Sequence, residues 1–139
     1  MTVFFDTNVI LDALTQRDLN YKPSQRLVRY VVSGRIKGFI SAKQVTDLYY
    51  SLRKYCSSEE QRKSIIKTVI DTFEVIPTIK SDIAYCLSSK INDLEDALLD
   101  EVCKVNCIGY LVTNNVKDFK EGKSVIFSPD DLLTILDAE

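Results

Sequence analysis

Four acidic residues, Asp6, Asp47, Asp96 and Asp118, stand where an alternation of strands and helices would bring them together. Asp6 directly follows the apolar run Val3-Phe4-Phe5, and Asp118 closes the Thr113 to Asp118 segment that follows Tyr110-Leu111-Val112. Ligands of an open parallel sheet bind beyond the carboxyl ends of its strands, so both acids belong to the edge where chemistry is expected. Asp47 and Asp96 fall in early turns of two helices. Carboxylates crowded into one crevice repel each other and resist ionisation unless a cation neutralises them. Oxygen-only donors suit Mg²⁺ or Mn²⁺. A cation so held typically activates water and stabilises charge in phosphodiester cleavage. The chain has no histidine, which removes Ser/His and Cys/His nucleophiles. Its four cysteines, Cys56, Cys86, Cys103 and Cys107, form no CxxC pair, so a zinc site is not expected.

Each acid also has a structural use. Asp6 could cap a helix. Asp47 lies at about 200° from Val45 on a helical wheel, away from the apolar stripe, as a solvated surface acid would. Asp93 and Asp96 could serve as a cap and a favourable first-turn charge, with Asp100 on the same side one turn later. Asp118, in Lys117-Asp118-Phe119, could be an ordinary loop acid. Their combination, two at strand ends and two in early helix turns, is what favours a shared site.

The elements that must position them follow from apolar periodicity. Strands are expected near residues 2 to 5, 38 to 41, 73 to 76, 109 to 113 and 124 to 127. Asp6-Thr7-Asn8 leads into a helix carrying Val9, Ile10, Leu11 and Leu14. Pro23-Ser24 opens a second, which Gly34 closes. Ser41 and Gln44 form a capping box before Val45, Leu48, Tyr49, Leu52 and Cys56, an amphipathic helix at offsets 0, 3, 4, 7 and 11. Further helices are expected from about Ser58 to Asp71, from about Ser81 to Ser89, from near Leu94 with Asn92 or Asp93 as cap and Gly109 as its exit, and from Pro129 to Leu136. Strands alternating with helices throughout predict an α/β fold with a parallel sheet covered on both faces.

At 139 residues, 45% hydrophobic and 27% charged, the chain fits one domain spanning residues 1 to 139. No stretch approaches a membrane span, and Met1 to Phe5 runs into Asp6 without a basic leader or cleavage site. The cysteines read as buried thiols in a reducing cytoplasm. Net charge is −2, yet residues 1 to 67 carry 12 basic and 6 acidic side chains against 6 and 14 in the remainder. Arg17, Lys22, Arg26 and Arg29, with Arg35 and Lys37, could therefore form a phosphate-binding face bordering the acidic crevice, or simply solvated helix faces.

Phe4-Phe5-Asp6-Thr7-Asn8-Val9-Ile10-Leu11-Asp12 resembles the opening of PIN-domain proteins. Thr46-Asp47-Leu48-Tyr49-Tyr50, Asp93-Leu94-Glu95-Asp96-Ala97-Leu98 and Val112-Thr113-Asn114-Asn115-Val116-Lys117-Asp118-Phe119 are similar to their second, third and fourth motifs. The resemblance spans residues 4 to 119 and is nearest to the small prokaryotic VapC-like toxins. It implies a Mg²⁺- or Mn²⁺-dependent endoribonuclease, commonly a homodimer and inhibited by a small antitoxin protein. By position, Asp6, Asp47 and Asp96 would hold metal, Asp118 would be the fourth acid, and Asn8 and Thr113 would orient water or carboxylates. Two departures stand out: Asp47 occupies a position more often Glu, and Asn115 one often Asp. A phosphotransfer enzyme of the haloacid dehalogenase kind would need a second Asp where this chain has Asn8. A non-catalytic PIN-like module binding RNA or protein is the remaining alternative.

Overall fold

Side-chain alternation along the first strand sorts the helices onto two faces. In the computed structural model, which describes residues 1–139, β1 (Thr2–Phe5) directs Val3 and Phe5 to one side of the sheet and Phe4 to the other. It is joined by β2 (Lys37–Ser41), β3 (Glu74–Ile76), β4 (Tyr110–Val112) and β5 (Ile126–Phe127) in the order β3-β2-β1-β4-β5. Every pairing is parallel. The helices are α1 (Thr7–Thr15), α2 (Tyr21–Val32), α3 (Ala42–Ser51), α4 (Glu59–Thr72), α5 (Lys80–Cys86), α6 (Leu94–Val105) and α7 (Pro129–Asp137).

On one face, Val3, Phe5 and Ile40 pack with residues of α1, α2, α3, α4 and α7, including Ile10, Leu27, Leu48, Val69 and Leu132. Phe5 meets Phe73 edge to face at 5.1 Å between ring centroids. On the other, Phe4 and Leu111 pack under α5 and α6 through Cys86, Ala97, Leu98, Val102 and Cys103. Gly38 in β2 keeps this arrangement close: a Cβ there would lie 2.8 Å from the Phe73 and Val31 side chains.

The five expected strands are present, with local differences that have physical reasons. β5 is two residues long rather than four, although the Val125 carbonyl still accepts from the Leu111 N–H at 2.9 Å. The helix expected to run through Cys56 ends at Ser51, and Leu52–Lys54 tighten into a 3₁₀ turn. α5 ends at Cys86 rather than Ser89. α6 is left not through Gly109 but through Cys107, which takes a left-handed φ of 56° just past the helix end. Cys107 is consequently exposed, a correction to the expectation of four buried thiols; the other three are buried. No helix is long and apolar enough to cross a membrane.

Candidate active site

The chain leaves β1 for β2 on one side and later places β4 on the other, so the strand order reverses between β1 and β4. Such a reversal opens a crevice at the carboxyl edge. Asp6 lies at its floor, buried, with its N–H on the Val112 carbonyl at 2.9 Å. Its Oδ2 accepts the Thr113 hydroxyl at 2.7 Å, and Thr113 Oγ1 in turn accepts the Asn115 N–H at 3.0 Å. Asp6 occupies the N-cap position of α1 without a regular side-chain cap hydrogen bond, although the Thr7 and Asn8 amides favour its charged form. Asn8 Oδ1 accepts the Asn114 N–H at 3.4 Å.

Two residues behind this floor have a part in the site that their sequence patterns did not assign. Asp12, only 2% exposed on α1, accepts Asn114 Nδ2 at 2.6 Å and Arg17 Nε at 2.5 Å. Gln44 appeared only as half of a capping box. Its Oε1 does accept the Ser41 N–H at 2.7 Å, but its Nε2 donates to the Phe5 carbonyl at 2.7 Å and to Thr7 Oγ1 at 3.2 Å. One buried amide thus ties the end of β2 to the end of β1, and all its polar atoms are used.

α6 runs back toward the start of β4, so its N-terminus faces the same edge. Asp93 caps it by accepting the Asp96 N–H at 3.0 Å. Asp96, half-buried, faces Asp6 and Asp47 across a cleft of about 460 Å³. The same Asp96 borders an adjoining hollow of about 290 Å³ shared with Asp93, Lys117 and the exposed Asp118. At the cleft mouth, Lys43 Nζ of α3 bridges Asp47 at 2.8 Å and Glu95 at 3.2 Å. Asp47 is therefore neither fully solvated nor free.

Asp6, Asp96 and Asp118 make no ion pair to a basic side chain, and the charge of Asp118 acts on both Asp6 and Asp96. Burial, then Asp93, Asp6, Asp118 and Glu95, push the Asp96 carboxyl up to about 6. Burial above all, with Asp118 adding, raises Asp6 against the lowering effect of the Thr113 hydroxyl. A carboxyl whose native pKa exceeds its unfolded value holds a proton that unfolding releases. Its contribution to stability is full below the unfolded value of about 4 and is lost as pH rises through about 6. In chelator, wild type is thus expected to lose melting temperature relative to Asp96→Asn between about pH 4 and 6. A difference between the two melting curves that does not vary with pH counts against the coupled cluster.

The basic face proposed from sequence is divided by the structure. Arg17 lines the acidic cleft. Arg26 does not: it pairs with Asp137 of α7 at 2.9 Å and with the Tyr30 hydroxyl at 3.2 Å. Arg29 borders a separate apolar groove between α1, α2 and α4, and Lys22 is exposed at the start of α2 outside the cleft. No residue of α2 lines the acidic cleft.

Fold and cleft define a parallel α/β protein with an acidic crevice at its topological switch point. The PIN domain family model matches residues 2–117, and the chain belongs to the PIN-domain family. Ribonuclease VapC1 of Aquifex aeolicus is 30% identical over 138 residues, which take in 92% of this chain and 85% of that protein. Among solved structures, VapBC2 from Rickettsia felis, bound to a DNA fragment from its promoter, superposes with a TM-score of 0.70 at 20% identity. The match covers 92% of this chain and 98% of that one. Mycobacterium tuberculosis VapC20, described as a sarcin-ricin loop cleaving toxin, gives 0.62 at 12% identity over 79% and 87% of the two chains.

Proposed function

We propose that this protein is a metal-dependent endoribonuclease that hydrolyses RNA phosphodiester bonds, the toxin of a type II toxin–antitoxin pair. The observation that carries this reading is the buried Asp6 held by Thr113 beside Asp96, an acidic pair at the switch point with no basic side chain to neutralise it. The relationship to Ribonuclease VapC1 supports the ribonuclease activity, and the VapBC complexes among its structural neighbours support a small antitoxin partner. A homodimer belongs to the same proposal.

The donor set fits a hard divalent cation, Mg²⁺ or Mn²⁺, since every available ligand is a carboxylate or neutral oxygen. No three acids stand as a ready-made coordination shell. Asp6 and Asp96 would hold the ion, with the exposed Asp118 and Asp47 as further ligands. When bound, it supplies charge compensation for the scissile phosphate and a nucleophile from water at neutral pH. Thr113 keeps the Asp6 carboxylate in one orientation, and Asp93 fixes the start of α6 so that Asp96 faces the cleft. Lys43 holds the Asp47 carboxylate and so limits repulsion at the mouth of the cleft.

The test is cleavage of a single-stranded RNA together with calorimetric titration of Mn²⁺. Mn²⁺ binding with cleavage that chelator stops and added metal restores is the expected result. A protein that neither binds Mn²⁺ nor cuts RNA is instead a non-catalytic PIN-like binding module.

A further inference from the structure

Beyond the acidic floor, the wall formed by α3 and the 3₁₀ turn after it carries features that metal chemistry does not use. Tyr50 is 58% exposed at the rim of the acidic cleft, an unusual setting for a large aromatic ring on a face otherwise rich in charge. The same residue lines a second hollow of about 280 Å³, together with Val45, Thr46, Tyr49, Lys63 and Ile66. Tyr50 is therefore the ridge between the acidic cleft and a neighbouring cavity. Arg53 lies over its ring at 4.7 Å from the centroid, and Tyr49 meets it edge to face at 5.6 Å.

The charges around this ridge are mostly positive. Lys43, Arg53, Lys54, Arg62 and Lys63 lie on α3, the 3₁₀ turn and α4, against Asp47, Glu59 and Glu60. Lys63 pairs with Glu59 at 2.8 Å and Arg62 donates to the Cys56 carbonyl at 2.7 Å, while Arg53 is engaged only by the Tyr50 ring. A flat aromatic ring backed by a guanidinium presents the surface on which unpaired bases stack, and nearby cations follow the phosphates that join them.

We propose that Tyr50, with Arg53, is a stacking platform for an unpaired nucleobase of the RNA, next to the phosphate bound in the acidic cleft. The proposal deepens the ribonuclease reading and rests on it. The hollow beyond Tyr50, with Tyr49 and Lys63, receives that base and its neighbouring phosphate. The substrate segment is accordingly single-stranded, because a base held within a duplex has no free face to offer this ridge.

The experiment uses a short single-stranded RNA containing one 2-aminopurine, whose fluorescence falls on stacking. Binding is followed in chelator, and cleavage is measured separately with Mn²⁺. Tyr50→Ala is expected to abolish most of the quenching and weaken binding about tenfold or more, in line with the loss of one base–aromatic stack. In the cleavage assay KM should rise while kcat changes little. Tyr50→Phe, which keeps the ring, should restore quenching and affinity, and Arg53→Ala should give an intermediate loss. Cleavage and quenching in Tyr50→Ala equal to wild type would overturn the platform while leaving the ribonuclease reading intact. Quenching that depends on Tyr50 in a protein that cuts no RNA would support the platform and reject the nuclease. Should Tyr50→Ala instead change the oligomeric state by light scattering and leave RNA affinity unaltered, this wall is a contact between copies and the platform is rejected.

Discussion

Asp6→Asn is expected to remove RNA cleavage while leaving the metal-free fold as stable as wild type or slightly more so. The two effects have one origin. Asp6 is buried beside Asp96 and Asp118 with no cationic partner, so deleting its charge relieves repulsion. The Asn side chain still offers an oxygen to the Thr113 hydroxyl, so the hydrogen bond at the switch point survives. With Mn²⁺ present the sign reverses, because the same change discards a ligand. Loss of a supporting partner around a metal ligand already lowers affinity or activity roughly 10- to 100-fold, and loss of the ligand itself should exceed that. At a metal concentration one hundred times its Kd, wild type gains about 2.7 kcal/mol, and the variant should gain distinctly less. Melting temperature and cleavage of both proteins, each with chelator and with Mn²⁺, decide the matter. Equal stabilisation of both by Mn²⁺ with continued cleavage by Asp6→Asn would reduce Asp6 to a structural residue.

The second large effect is expected at Asp12. Its carboxylate is buried and joins α1 both to Arg17 and to Asn114 in the segment after β4. Asp12→Ala leaves the Asn114 amide and the partly exposed Arg17 without their acceptor. Breaking a buried pair by removing one partner costs about 3 kcal/mol at the low end, which applies here because Arg17 can regain water. For a domain of this size that is a fall in melting temperature of about 10 °C. Cleavage by the folded protein should also decline, since Asn114 adjoins the Thr113 that orients Asp6. Asp12→Asn retains one acceptor and is expected to lose less than half as much stability. A melting temperature within about 2 °C of wild type for Asp12→Ala would mean that this pair contributes little.

The contrast between these two residues shows what can be read from a sequence. Asp6 was visible because it ends an apolar run and begins a helix, both local patterns. The parallel sheet was visible for the same reason, as was Asp93 at the start of α6. Asp12 lies on an apolar helix, and its meaning depends on Asn114, 102 residues away, and on a return of the chain around Arg17. Gln44 satisfied a local capping pattern that concealed its longer reach to Phe5, 39 residues away. The bridge from Lys43 to Glu95 and the diversion of Arg26 to Asp137 are likewise products of helix packing, not of spacing along the chain. The helix expected through Cys56 kept its buried positions but changed its winding, because apolar periodicity does not distinguish a last α-turn from a 3₁₀ turn.

The hydrogen bond between Asp6 and Thr113 spans 107 residues and joins the first strand to the fourth. During translation, the opening strand emerges long before the segment that completes the acidic site at its carboxyl end. At about 5 to 20 residues per second, roughly 5 to 20 s separate the two halves of the switch point. Pairing so distant in sequence is also the slow part of folding, since loop closure must precede any gain from the contact. A nascent polypeptide still lacking β4 has an unpaired β1 edge where the finished protein has the parallel β1–β4 ladder, and it has no Thr113 to hold Asp6. The topology thus delays assembly of the acidic centre until the segment carrying Thr113, 107 residues after Asp6, has been made.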